Sequence, residues 1–368
     1  MKKIIINAIA ARTSGALSIV KSFVDFIDSR EYPNTNFLLL TSTNGIFKKS
    51  AKLNVFELPH QNWWNRIQWD KKAFQTWCKK NDIIPDVVIS FQNTCSHFNQ
   101  EYINVKQLVY YHQLIPLVKY NWSLLRKDEQ KLFLYAHFYG YFVNRWNNNA
   151  EYVVQLPSVK KLFCKKFTNI NTDSVHIIRP NLPSIDISSV PEKQMYEGKK
   201  LFIYPATPLR YKNHTVILRA LDYLTKSNPG LTGRIKVIFT VPTNSFVAKS
   251  VQKLGLDSVV ECTENIPYEE LLSYYKCSDA LLFPSKIESF GLPLIEAALF
   301  GIPVIASELP YAREVLENYS NAVFINSDDF VSWATAIKEV CMNEKQLKPM
   351  IKENKDTWEQ FEQLMLSQ

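Results

Sequence analysis

The sequence predicts an α/β protein of two doubly wound domains, each a parallel sheet with helices on both faces, facing one another across a cleft. Three observations lead there. The chain has 368 residues, about twice the usual size of one domain. Its strand candidates are near-continuous apolar runs, the pattern of strands covered on both faces. These runs alternate with longer stretches of helical period in two successive series, as a parallel sheet requires.

In the first series the strand candidates are KKIIIN (2–7), NFLLLTS (36–42), DVVIS (86–90), QLVYYH (107–112) and YVVQ (152–155). Between the first two, ALSIVKSFVDFIDS (16–29) places Leu17, Val20, Phe23, Val24 and Ile27 on one helical face. In the second series KLFIYPA (200–206), IKVIFTV (235–241), SVVECT (258–263), ALLFPS (280–285), IPVIAS (302–307) and AVFIN (322–326) predict strands. HTVILRALDYLTKS, PYEELLSYYKCS and LPLIEAALF supply helices between them. The segment PSIDISSVPEKQMYEGKK (183–200) is polar, carries Pro183 and Pro191 and has no period, so it reads as the connection. The expected division is 1–182, a linker 183–198, a second domain 199–345, and a C-terminal segment 346–368 with a helix near 346–364.

Composition bounds the function. Forty-six per cent hydrophobic and 21 per cent charged residues is the mix of a folded soluble protein. No apolar run reaches ~18 residues, so no spanning helix is expected. The opening MKKIIIN reads as a buried strand rather than a signal peptide, and cytoplasmic residence is the expectation. Cys78, Cys95, Cys164, Cys262, Cys277 and Cys341 are scattered, which suits free thiols. The net charge of +8 favours an anionic partner. The basic residues are dispersed, which argues against nucleic acid. Neither half carries G-x-G-x-x-G or a phosphate-loop lysine, which excludes the usual dinucleotide and ATP enzymes. No D-x-D pair follows a strand and no histidines are spaced i, i+4, so no metal site is expected.

One unit, ALLFPSKIESFGLPLIEAALFGIPVIAS (280–307), carries chemistry. A strand ends near Pro284; a loop holds Glu288, Ser289, Phe290 and Gly291; Pro293 opens a helix; Gly301 and Pro303 end it. A helix start at the carboxyl end of a strand offers free N–H groups to an anion, most naturally phosphate. Gly291 lets the backbone come close. Glu296, just inside the helix, suits a vicinal diol such as a ribose presents, and Glu288 suits a second polar ring beyond the phosphates. A nucleotide sugar has those parts in that order. Taken alone, two acids eight residues apart are more often a helix-dipole partner and a solvated loop acid.

ESFGLPLIEA followed by GIPVIAS resembles the signature of the retaining glycosyltransferases of family 4, which have the GT-B fold. YPATPLRYKNHTVILRAL and ELPYAREVLENYSNAVFIN resemble the flanking segments, so the likeness covers about 200 to 340. In the first half YYHQLIP, YVVQLPSVKKLF and SVHIIRPNLP match more thinly. The resemblance implies that Glu296 holds the donor ribose and Glu288 lies beside the transferred sugar. It implies that Phe290, Gly291 and Leu292 offer amides to the diphosphate and sugar, and that Lys212 pairs with the diphosphate. Thr207 stands where the family usually has an arginine, and Arg210 is the candidate to replace it. His112 would face the sugar, and Gly15 would lie near the donor phosphate or acceptor; each also reads as an ordinary strand-end histidine or turn glycine. The C-terminal helix would cross back to the first domain.

The implied activity is metal-independent, retaining transfer of a hexosyl unit. The donor would be a UDP-, GDP- or dTDP-sugar, with no other cofactor. The acceptor would be a saccharide, free or lipid-linked, and the setting bacterial surface polysaccharide synthesis. The alternatives are a non-catalytic GT-B partner or scaffold subunit, for which Thr207 is the best argument, and a nucleotide-sugar epimerase. Two aromatic and basic stretches, WSLLRKDEQKLFLYAHFYGYFVNRWNNN (122–149), expected to be a helix, and NWWNRIQW (62–69), suggest peripheral contact with an anionic membrane.

Overall fold

The protein is described by a computed structural model that covers the chain except Thr13, Ile103, 147–149, 182–184, 193–195, Asn265, 351–356 and Gln368. It divides into two compact units. One is Met1–Asn181 with Lys355–Gln368; the other is Leu182–Asn354. The segment expected as a linker, 183–198, is therefore part of the second unit, and its residues 183, 184 and 193–195 lie outside the described residues.

The first unit holds a seven-stranded sheet of β1 (Lys2–Asn7), β2 (Thr35–Thr41), β3 (Leu53–Glu57), β4 (Val87–Ser90), β5 (Lys106–Tyr110), β6 (Glu151–Val154) and β7 (Val175–Ile177), in the order β3-β2-β1-β4-β5-β6-β7. Every pairing is parallel; Ile4 of β1 sits opposite Phe37 of β2 and Val87 of β4. The central strands are the apolar runs of the sequence, buried on both faces. The two edge strands, β3 and β7, were not expected. LNVFE is half exposed and VHI has three residues, so neither shows the continuous apolar run of an interior strand.

Helices close both faces of this sheet. Ser14–Asp28 turns Val20, Phe23 and Ile27 inward, where Phe23 meets Phe91 at 5.5 Å between ring centroids. The C-terminal helix, Trp358–Leu366, completes that layer. Trp358, Phe361 and Met365 are fully buried, and Phe23 packs edge-on against Trp358 at 5.0 Å and Phe361 at 5.1 Å. Each such side chain contributes roughly 1.5–3 kcal/mol of burial. Arg30 pairs with Glu359 and Glu362, and Lys2 Nζ donates to the carbonyls of Met365 and Leu366, favourable at a helix C-terminus. The expected helix near 346–364 is corrected by this: 346–350 are not helical, 351–356 lie outside the described residues, and the helix runs to Leu366. The helix expected over 122–149 begins only at Gln130, because the stretch before it is turned and closed by Glu129, whose carboxylate accepts from the Ser123 amide at 2.9 Å.

The second unit repeats the plan with β8 (Lys200–Tyr204), β9 (Ile235–Phe239), β10 (Val260–Cys262), β11 (Ala280–Phe283), β12 (Val304–Ser307) and β13 (Ala322–Ile325), ordered β10-β9-β8-β11-β12-β13 and all parallel. All six were expected. Among the described residues no helix is long and apolar enough to cross a membrane.

Candidate functional site

In an open parallel sheet, ligands sit beyond the carboxyl ends of the strands where the strand order reverses. In the second unit that point lies between β8 and β11. The loop after β8 (205–213) and the loop after β11 (284–291) leave the sheet there side by side. The Lys286 amide donates to the Tyr211 carbonyl at 2.8 Å and ties them together.

Each loop is held from beneath. The Tyr204 hydroxyl, at the end of β8, donates to the Lys212 carbonyl at 2.6 Å. The Tyr311 hydroxyl donates to the Ser285 carbonyl at 2.6 Å. Asn213 adopts a left-handed conformation, φ 58 and ψ 34, which Asn tolerates better than most residues. Its side chain donates to the Ser327 carbonyl at 2.7 Å, and the helix His214–Ser227 starts directly after it.

This framework brings Lys212 and Glu288 together from 76 residues apart: Lys212 Nζ lies 2.6 Å from Glu288 Oε1. Both side chains are largely withdrawn from water, at 17% and 13% exposed. Burial alone would lower the Lys212 pKa. The adjacent Glu288 carboxylate, with help from Tyr211, offsets that and raises it, so the group remains an ammonium. The sequence placed both residues at a site without foreseeing their contact.

Three residues past Glu288 the backbone turns at Gly291, φ 91 and ψ 61, to cap the helix Leu292–Leu299. A β-carbon there would be strained by the positive φ and would come within 3.1 Å of Leu294 Cδ1, so the turn calls for glycine. None of the hydrogen bonds among the described residues uses the amides of Phe290, Gly291 or Leu292. Phe290 itself is buried and anchors the loop. These amides are the orphan donors of a helix start, and the helix dipole favours an anion beside them.

Glu296 lies inside that helix and is 6% exposed. Tyr275 donates its hydroxyl to one carboxylate oxygen at 2.9 Å and Tyr268 to the other at 3.2 Å. Burial raises the Glu296 pKa, against the opposing hydrogen bonds of the two tyrosines. A carboxylate has about four acceptor positions, so two remain for a further donor pair. The two tyrosines were missed in the sequence. Both lie on the helix Tyr268–Cys277, about two turns apart, and that spacing, which puts them on one face, was the available signal.

The remaining candidates fall as follows. Arg210 shares a 3₁₀ turn with Lys212, and its guanidinium lies 4.7 Å over the Phe246 ring. Gly15 sits in the first turn of the helix Ser14–Asp28 in the first unit rather than in the preceding loop. His112 follows β5, also in the first unit; its amide donates to Asn93 Oδ1 at 2.6 Å. Burial lowers its pKa to about 4, with Arg66 adding to the shift and a backbone hydrogen bond opposing it, so the ring is neutral at pH 7. His214, which the sequence did not single out, is buried between Tyr204 and Phe239 and lowered to about 3 by burial first and Lys212 second.

Residues 188–357 match the family described as Glycosyl transferases group 1. The O-antigen chain mannosyltransferase RfbU of Salmonella typhimurium is 25% identical over 247 residues, which are 64% of this chain and 65% of that one. The D-inositol 3-phosphate glycosyltransferase of Corynebacterium kroppenstedtii is 29% identical over 138 residues, 36% of this chain and 30% of that one. The chain thus matches between about a third and two thirds of the length of these relatives. Among solved structures, WaaG, a glycosyltransferase involved in lipopolysaccharide biosynthesis, superimposes with a TM-score of 0.67 over the full length of both chains at 13% identity, a likeness of fold.

Proposed function

We infer that this protein, which belongs to the group 1 glycosyl transferases through residues 188–357 and has the GT-B fold, transfers a sugar from a nucleotide diphosphate donor to a saccharide hydroxyl. The observation that carries the reading is the buried Lys212–Glu288 pair beside the open amides of Phe290, Gly291 and Leu292. A diphosphate docked on those amides gains the helix dipole and lies within reach of the Lys212 ammonium. Charge that develops on the leaving diphosphate is then stabilised by donors already in place. Glu296, oriented by Tyr275, accepts from the two ribose hydroxyls. Glu288 stands where the transferred sugar follows the phosphates. Transfer proceeds with retention and without a metal, since Lys212 and the helix amides supply the positive field. The first unit receives the acceptor, and the resemblance to an O-antigen mannosyltransferase favours a bacterial surface polysaccharide as product.

Isothermal titration with UDP, GDP and dTDP tests the donor site. One of the three is expected to bind, and Glu296→Ala to weaken it about tenfold or more, since a hydrogen bond to a charged group contributes ~1.5–3 kcal/mol. Unchanged binding in the variant would remove the ribose assignment.

A second reading rests on Thr207, which leaves the diphosphate without the arginine that the family resemblance leads one to expect there. In that case the protein is a GT-B partner subunit that binds nucleotide and does not turn it over. Incubating purified protein with nucleotide sugars separates the two: release of nucleotide supports the enzyme, binding without release the partner.

A further inference from the structure

The first unit carries an apolar stripe that its own core does not use. The helical turns Gln130–Leu134, Tyr135–Tyr139 and Gly140–Arg145 follow one another without a break, the middle one a π turn. Tyr139 and Val143 face inward and are buried. On the other side Leu134, Phe138 and Tyr141 are 45%, 53% and 59% exposed, at positions i, i+4 and i+7, and so line one face. In the turn just before the helix Leu124 and Leu125 are also exposed, the latter 95%, and Gln130 Nε2 holds that turn by donating to the Leu124 carbonyl at 3.0 Å. At the other end Phe142 packs on Trp63 at 5.7 Å, which brings the 65% exposed Trp64 beside the stripe.

The rim of this stripe is basic. Arg126, Lys127, Lys131 and Arg145 are all exposed, and Arg145 lies over the Tyr141 ring at 5.4 Å. Of the two acids between 119 and 145, Asp128 is exposed, and Glu129 is buried and turned inward to the Ser123 amide and Arg126. Exposed apolar side chains ringed by long cationic ones fit the boundary of an anionic bilayer, where the apolar tips enter the acyl region and the cations meet headgroups. We propose that this face of the first unit, Leu124–Leu125 with the Leu134–Phe138–Tyr141 stripe, docks the protein on an anionic lipid surface. Trp69, Trp122 and Trp146 are buried in the fold, and of NWWNRIQW only Trp64 offers its ring to the outside. The inference stands without the donor-site reading.

Co-sedimentation of the full chain with lipid vesicles tests it, using phosphatidylcholine alone and phosphatidylcholine mixed with phosphatidylglycerol. At low salt the mixed vesicles are expected to bind at least about tenfold more tightly, and added salt to reverse the difference, as screening requires. The paired changes Leu125→Ser with Phe138→Ser, and Lys127→Glu with Lys131→Glu, lie at exposed positions where folding is unaffected, which circular dichroism checks. Each pair is expected to lower partitioning at least about tenfold, because each removes the burial or the attraction of two side chains. Equal binding to both vesicle types, variants that bind like the parent chain, or a dimer in sedimentation equilibrium that Leu125→Ser with Phe138→Ser dissolves would each overturn the proposal; the last would assign the face to a second copy.

Discussion

The carboxyl edges of the two sheets share a backbone plan and differ in charge. In the second unit the edge is ionic: a buried Lys212–Glu288 pair, the buried Glu296, and a helix start with unused amides. In the first unit it is lined by amides. Asn7 ends β1, Gln92 and Asn93 follow β4, and Gln155 follows β6. His112 beside them is held neutral. Asp70, which touches this edge through Thr94 at 2.6 Å, is pushed up to about 7 by burial, against the opposing Thr94 hydrogen bond and Arg66 charge. The same switch-point geometry is thus ionic in one unit and lined by amides in the other, because strand ends set position and side chains set chemistry.

The largest effect should come from the element that joins the chain's two ends. Trp358→Ala is expected to cost about 3–5 kcal/mol in urea unfolding, confined to the first unit, as removal of a fully buried Trp does. Equal loss in both units would show that they do not unfold separately. Next, Lys212→Met should lower donor turnover about 10²–10³-fold, the size seen when one oxyanion-type donor is removed. A smaller loss than Asn93→Ala causes in the first unit would reverse this contrast.

Acid should destabilise the second unit through His214, whereas in the first unit Asp70, raised to about 7, takes up a proton over the same range and offsets His112. The folded pKa values of the histidines, about 4 for His112 and about 3 for His214, lie below the ordinary 6.5. The stability that each neutral ring carries is therefore fully present above pH 6.5 and declines as pH falls toward its folded value, by about 1 kcal/mol for each pH unit. Melting temperatures from pH 7.5 to 5 should show the loss in the second unit, and His214→Phe should remove it. A second-unit profile that His214→Phe leaves unchanged would contradict the burial of that ring.

Gly291→Ala should cost ~1–3 kcal/mol through its positive φ and the Leu294 contact, and should weaken nucleotide binding with it. The smallest effect is expected at Asn7, whose side-chain oxygen and nitrogen are buried without a hydrogen bond. Asn7→Leu should raise stability by about 1 kcal/mol, since an unpaired buried amide is a cost. A fall in melting temperature would show that Asn7 has a partner in solution.

Much of this protein was legible along the chain. Interior strands such as β1, β4 and β11 announce themselves because burial on both faces demands unbroken apolar runs. The helix start at Gly291–Pro293 is equally local: a left-handed turn and a missing N–H are properties of single residues. The edge strands β3 and β7 gave no such signal, since a strand with one open side tolerates mixed residues. The start of the C-terminal helix was misplaced because Trp358 is helical by virtue of what it packs against, Phe23 and Tyr110, hundreds of residues away.

The order of apolar runs and the residues flanking Gly291 by themselves determined two parallel-sheet domains and, in the second, a helix start behind a left-handed glycine turn. Only the tertiary structure decided that Lys212 meets Glu288, that Tyr268 and Tyr275 grip Glu296, and that Leu125 and Phe138 are left in water. Periodicity and turn chemistry are local and are written residue by residue. Which distant side chains share a dielectric, and which apolar face goes uncovered, depends on how separate segments pack.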